Sequence, residues 1–411
     1  MNGKLRADAE KIVRSAIEAV KPDEAVRRAL KNATLSSRVY LVAVGKAAWQ
    51  MAAAAVQELK MPLCDGIVIT KYGHAMGQLP GLRIFEAGHP VPDENSYLAT
   101  QEVLRMTEKL TQSDTVLFLL SGGGSALFEN PLVEPETLQE ITRKLLAGGA
   151  DITQINTIRK RLSAVKGGRF AAHCAPAKIE AVILSDVLGD PVDVIASGPA
   201  AADPATAEDA KEIARRYGVD GFLQVRQLLE VETPKEVPNV HTQIIGSVRQ
   251  LCAAAETEAK KLGYECIFLS DRLNGEASDT GRELARELLR YDGSGRKIAL
   301  LAGGETVVHV KGKGLGGRNQ ELALSAAQIL EGNDHAALIS VGSDGTDGPT
   351  DAAGGYVDGD TVSTLREKGL DIEAFLADND AYHALGAVDG LIITGPTGTN
   401  VNDVTVGLIS K

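Results

Sequence analysis

The feature that most restricts this chain is an alternation. Strand-length apolar runs give way, again and again, to helical stretches, and glycine collects where a run ends. Tyr40-Leu-Val-Ala-Val44 leads into Gly45-Lys46 and an alanine-rich helix through Leu59. Gly66 to Thr70 is the next strand, Arg83 to Ala87 a short third, and Glu94 to Leu110 a helix. Thr115 to Leu120 then runs straight into Ser121-Gly-Gly-Gly-Ser125. Helices at Glu134–Ala147 and Asn156–Phe170 precede a strand from Ile179 to Ser185. Near-continuous apolar strands of this length, separated by amphipathic helices, form a parallel sheet covered on both faces. The fold class is therefore α/β. The chain opens differently, with a helix over Leu5–Ala29 that breaks at Pro22.

Val231 to Val240 carries two prolines and several charges and reads as a linker. It divides the chain into an expected domain 1–235 and an expected domain 236–411. In the second, the alternation resumes with strand Gln243–Ile245, helix Val248–Leu262, strand Glu265–Leu269 and helix Glu276–Arg290. The remainder is richer in glycine and strand: Ile298–Leu301, Thr306–Val310, Ala336–Val341, Gly390–Thr394 and Asp403–Ile409. Two α/β domains with a cleft between them follow.

Composition removes several functions. Of 411 residues, 44% are hydrophobic and 24% charged, enough apolar material for a large core. A net charge of −12 without any basic block argues against nucleic acid as a partner. No apolar run approaches the roughly 18 residues of a membrane span. The alternating charges of Met1–Ala9 do not resemble a signal peptide. Cys64, Cys174, Cys252 and Cys266 are far apart and unpatterned, which fits a reducing cytoplasm. The seven histidines form no zinc-ligand pair.

Parallel sheets bind ligands where strands end and loops enter helices. Lys46 occupies such a turn, where an ammonium and helix amides attract phosphate or carboxylate. The turn lacks the spacing of a Walker loop. The Ser121–Ser125 loop offers glycine amides and two hydroxyls to an anion. Asn156 to Arg169 contains five cations on an otherwise apolar helix, either a solvated face or a surface turned to the cleft. Asp186 ends a buried strand. Later come Gly303-Gly304-Glu305, then Gly316-Gly-Arg318-Asn319 opening a helix, and a loop with Asp344, Asp347 and Asp351. Those acids suit Mg²⁺ or turn formation, and the turn reading is preferred for at least one. Asn400-Val-Asn-Asp403 closes the series of polar loops.

Taken together, these segments resemble the class II glycerate kinases of the MOFRL family. The match rests on Val44-Gly-Lys-Ala-Ala48, Gly88-His-Pro-Val-Pro-Asp93, Leu120-Ser-Gly-Gly-Gly-Ser-Ala126 and Asn156-Thr-Ile-Arg-Lys160 with Ser163-Ala-Val-Lys-Gly-Gly168. It continues through Leu184-Ser-Asp-Val-Leu-Gly-Asp190, Ala196-Ser-Gly-Pro199, Gly303-Gly-Glu-Thr306, Gly316-Gly-Arg-Asn-Gln-Glu321 and Ser343–Gly354. Pro191 departs from the pattern, where a second acid is expected. The resemblance implies a Rossmann-like three-layer first domain, a MOFRL second domain with a mixed sheet, and an active site in the cleft between them. It implies transfer of the ATP γ-phosphoryl group to D-glycerate, giving 2-phosphoglycerate with Mg²⁺. Lys46 and Arg318 match the family's catalytic pair, and Asp186 is the expected proton acceptor. Gly45, Ser121, Gly122, Gly123, Gly124, Ser125, Asn156, Lys160, Lys166, Gly304, Glu305, Asn319 and Asn400 are the expected substrate and nucleotide contacts. Asp344 and Asp351 are the expected metal ligands. The expected partners are thus small molecules in the cytoplasm, and a homodimer would be unsurprising.

Two other classes compete. A nicotinamide-dependent hydroxypyruvate reductase would need a GxGxxG turn after the first strand and an acid after the second, and neither is present. A non-catalytic sugar-phosphate regulator would suit the SGGGS loop but not so many cations and acids.

Overall fold

The structure is a computed structural model and describes residues 3–410. It divides into two compact units, one of residues 25–245 and one of residues 3–24 with 246–410.

The 25–245 unit is built on β1 (Arg38–Val44), β2 (Asp65–Lys71), β3 (Arg83–Ala87), β4 (Asp114–Leu120), β5 (Lys178–Leu184) and β6 (Val240–Gly246). Their order across the sheet is β3-β2-β1-β4-β5-β6. The pairs from β3 through to β5 are parallel. This is the doubly wound dinucleotide-fold order, which reverses direction between β1 and β4. All seven residues of β4 are buried, as a strand covered on both faces requires. Phe118, Phe128 and Phe170 stack with centroids 5.1 to 5.9 Å apart, tying the segment after β4 to the helix Arg169–Cys174. A separate apolar cluster around Leu138, Ile141, Ile158 and Ala214 holds the helices of 135–229 together.

The second unit contains β7 (Glu265–Leu273), β8 (Ile298–Gly304), β9 (Ala336–Gly342), β10 (Gly354–Asp358), β11 (Leu391–Ile392) and β12 (Asp403–Ile409), in the order β11-β10-β9-β12-β8-β7. β12 runs antiparallel to both β8 and β9, whereas β7 and β8 are parallel, so this sheet is mixed. Asp403 at the start of β12 is opposite both Gly304 and Gly342, the last residues of β8 and β9. The helices Ala277–Leu289 and Arg318–Leu330 pack on one another in the core of this unit.

The units depart from the expected division at 235/236. The helix Gly3–Ala19 packs on Val248–Lys261, β9 and β12, so the chain's start belongs with its end. Its apolar stripe of Leu5, Ile12, Val13 and Ile17 is buried there. The expected linker is part of the first unit: the Thr233 hydroxyl donates to Asp203 at 2.7 Å and the Asp203 amide to the Pro234 carbonyl at 3.0 Å. Thr306–Val310 is not a strand beyond a single bridge at Val307, and β10 was not anticipated. Its Gly-Gly-Tyr-Val-Asp sequence lacks a strand-like apolar run. No helix among the described residues is long and apolar enough to cross a membrane.

Candidate active site

The turns after β1 and β4 interlock. The Ser121 amide donates to the Val44 carbonyl at 2.9 Å and the Lys46 amide to the Gly122 carbonyl at 2.9 Å. The buried Ser121 hydroxyl accepts the Ala47 amide at 3.1 Å. A Cβ on Gly45 would lie 2.2 Å from Ser121 Oγ, so only glycine lets the two turns approach this closely. Gly45 and Ser121 therefore hold the two turns together. They leave the Lys46 ammonium without a hydrogen bond or ion pair to any described residue.

The three glycines that follow admit neighbouring side chains. A Cβ on Gly122 would sit 2.1 Å from Asp186 Oδ2, and one on Gly124 2.7 Å from the Ala196 methyl. Gly123, at φ +88°, faces His89 and Lys46. Asp186, Lys46 and His89 thus meet over the backbone of one loop. The Ser125 hydroxyl is 3.0 Å from that of Ser197, which donates to Asn156 Oδ1 at 3.0 Å. Ala196 and Ser197 both hold left-handed backbone conformations, strain of a kind that collects at functional sites.

Three of the five cations, Lys160, Arg161 and Lys166, are buried and so are not part of a solvated face. Lys166 is fully buried; its ammonium donates to the carbonyls of Ser125 at 2.8 Å and Phe128 at 2.9 Å and pairs with Glu129 at 3.3 Å. Burial pulls it down to about 8, against the opposing pull of Glu129. Lys160 pairs with Asp203 at 3.0 Å and Asp193 at 3.3 Å, and Arg161 with Asp203 at 3.5 Å. Lys160 and Lys166 are committed to buried acids and Asn156 to Ser197. Lys166 thereby braces the Ser125 end of the loop.

In the second unit, Arg318 opens its helix with its guanidinium spread between two acids. Nε donates to Asp403 Oδ2 at 2.6 Å, Nη2 to Asp403 Oδ1 at 3.0 Å and Nη1 to Glu305 at 3.1 Å. Burial would lower its basicity, but Asp403 and Glu305 hold it above the ordinary arginine range. Asp403 is itself buried, and that burial pushes its carboxyl up to about 6 in spite of the arginine. Asp403 is a site residue that the sequence reading did not select. Its signal was its place as the acid closing the polar loop Asn400-Val-Asn-Asp403. Gly304 is where β8 meets β7, since a Cβ there would lie 2.3 Å from the Leu273 backbone. Asn319 is buried, with its amide and side chain on Asp347 and its carbonyl oxygen on Ser340. Asn400 is exposed and turns back on the Asn402 amide.

Of the three acids in the 343–351 loop, Asp347 is the structural one. It caps the arginine helix, accepting the amides of Asn319 and Gln320 at 3.2 and 2.9 Å. Asp344 closes a turn on Thr346, and Asp351 accepts the Tyr382 hydroxyl. The described residues form no group of three or more His, Cys, Asp or Glu able to hold a metal ion. Asp344 and Asp351 thus have no third such side chain grouped with them among the described residues. Mg²⁺ often binds through one or two carboxylates and substrate phosphates, so a cation here would arrive with the nucleotide.

A cavity of about 620 Å³ lies elsewhere in this unit, between the helix Gly3–Ala19 and the segment 391–397. None of the expected site residues lines it. On its rim Arg6 pairs with Glu10 and Asp389, and Lys21 with Glu18. The unpaired Lys46 and the carboxylate-held Arg318 mark the chemistry better than that volume does.

Fold and site together define a two-unit α/β protein of the doubly wound class, with basic groups at its strand ends. Residues 8–230 match a domain described as of unknown function (DUF4147), and residues 298–403 match the MOFRL family. The D-glycerate 2-kinase of Thermotoga maritima is 52% identical over 98% of both chains. A crystal structure of glycerate kinase from that organism superposes with a TM-score of 0.96, covering 99% of this chain and 100% of the other. Glycerate 2-kinase of Pyrococcus horikoshii is 41% identical over 98% of this chain and 96% of its own. An Agrobacterium vitis protein with a provisional hydroxypyruvate reductase name is 40% identical over 90% of this chain and 87% of its own. The chain belongs to this DUF4147–MOFRL family of glycerate kinases.

Proposed function

We propose that the protein transfers the γ-phosphoryl group of ATP to the 2-hydroxyl of D-glycerate, giving 2-phosphoglycerate and ADP, with Mg²⁺ brought in by the nucleotide. The observation that carries this reading is the unpaired Lys46 ammonium at the β1/β4 reversal, in a chain 52% identical along its length to a D-glycerate 2-kinase. Phosphoryl transfer needs charge neutralisation and positioning more than covalent chemistry. Lys46 in the first unit and Arg318 in the second are the cations proposed for charge neutralisation. Glu305 and Asp403 fix the arginine. Asp186, against Gly122, takes the proton of the acceptor hydroxyl. The reductase reading is disfavoured by the fold itself: the turn after β1 is Gly45-Lys46 with no glycine fingerprint, and β2 ends in Lys71 where a ribose-binding acid would stand.

The test is incubation with ATP, Mg²⁺ and D-glycerate, read by phosphorus NMR and by coupling to enolase. Product consumed by enolase without a mutase supports the proposal, and oxidation of NADH by hydroxypyruvate without ADP formation overturns it. Lys46→Ala and Arg318→Ala should each lower turnover by roughly 10³-fold, the effect of losing a charge-stabilising cation; thermal unfolding should be unchanged for Lys46→Ala, whereas Arg318→Ala also strands the buried Asp403 carboxylate and should unfold at lower temperature. Near-normal turnover in either variant would remove that residue from the mechanism.

A further inference from the structure

The loop after β4 has one neighbour that the roles above leave unused. A Cβ on Gly123 would lie 3.0 Å from Cδ2 and 3.2 Å from Nε2 of His89, and 3.2 Å from Cγ of Lys46. The imidazole and the lysine stem therefore both lie close against the Gly123 backbone, an approach that the missing side chain permits. That backbone lies where β1 and β4 diverge, the point at which open parallel sheets receive ligands. His89 follows the end of β3 by two residues, and Lys71 ends β2 in register with Ala87. The side chains of His89, Lys46 and Lys71 make no hydrogen bond or ion pair with any described residue. Other titratable groups nearby are committed. His74 Nδ1 is 3.0 Å from the Lys46 carbonyl, and Glu86 accepts the Ala75 amide. Asp93 accepts Tyr72, Ser96 and the Gly88 amide. Asp186 covers the adjacent Gly122.

We infer that His89, with Lys71, holds the carboxylate of the acceptor, leaving Lys46 for the phosphoryl group. The inference rests on the kinase reading for the identity of the acceptor. Burial, with the charges of Lys46, Lys71 and His74, keeps the free His89 imidazole below its ordinary range and therefore neutral near pH 7. A carboxylate bound by His89 and Lys71 offsets the repulsion, so the ring takes up a proton as the acceptor binds. Recognition then selects a permanent anion, and glycerol, without the carboxylate, gains nothing from it.

Calorimetric titration of D-glycerate into the full-length protein, in two buffers of different ionisation heat near pH 7, reads the proton directly. The wild type should take up protons on binding, and His89→Gln should not. In steady state, His89→Gln should raise the KM for glycerate by roughly tenfold, as for the loss of a charge-assisted hydrogen bond, while the KM for ATP stays within about twofold. Turnover by the wild type with no proton uptake, or with an unchanged glycerate KM in the variant, overturns the inference and spares the kinase. Glycerate binding with proton uptake but without phosphorylation overturns the kinase reading and keeps the carboxylate site.

Discussion

Replacing Asp403 with asparagine separates anchoring of Arg318, the arginine proposed to act in catalysis, from stability of the fold. The carboxylate is 5% exposed and takes two of the three side-chain bonds of Arg318, at 2.6 and 3.0 Å. Asparagine keeps its shape and one acceptor but loses the charge. The guanidinium is then left with the partly exposed Glu305 at 3.1 Å. A released arginine regains up to about 2 kcal/mol of rotamer entropy, which at about 1.4 kcal/mol per decade is roughly a 30-fold loss of kcat. Stability should move the other way. Burial raises the Asp403 carboxyl from 3.8 to about 6. A raised acid contributes fully to stability below its unfolded value and loses that contribution as pH climbs through its folded one. Two pH units correspond to about 3 kcal/mol, and asparagine escapes that cost. Asp403→Asn should therefore gain on the wild type in urea unfolding as pH rises from about 4 to 7. Wild-type activity should fall as pH drops below about 6, where Arg318 loses its anchor, and that limb should vanish in the variant. Retention of kcat within about threefold at pH 7.5, or a stability gap that ignores pH, would refute the argument.

Two further substitutions test the ground under the glycine loop. Lys166→Met strands the buried Glu129 and should cost about 3–5 kcal/mol in chemical unfolding. Because burial lowers Lys166 from 10.5 to about 8, its stabilising contribution is present above the higher value and lost as pH falls through the lower. The wild type should thus gain on the variant between those values, and a cost below about 1 kcal/mol would mean that the pair carries little weight. Gly122→Ala places a methyl 2.1 Å from Asp186 Oδ2 at a position whose φ is not left-handed. Turnover should drop roughly tenfold from displacement of the carboxylate, with little change in melting temperature. Full activity would argue that Asp186 has no part in the reaction.

Some of this protein follows from local sequence alone. Apolar strands of fixed length, followed by glycine and then helix, specify an α/β fold, because only a covered sheet buries such strands on both faces. The same logic puts Lys46, the Ser121–Ser125 loop and Arg318 at strand ends or helix starts. What those groups touch is a different matter. Lys160 and Lys166 read as available cations because their partners, Asp203 and Glu129, are remote in sequence or hidden among apolar neighbours. The fold brings each acid against its lysine in a space closed to water. Asp403 went unselected because parallel-sheet reasoning looks to the last residue of a strand. β12 enters its sheet antiparallel between β8 and β9, so its first residue arrives beside their ends, and the arginine finds its carboxylate there. Strand direction and burial are set by long-range packing, and no local pattern of residues encodes them.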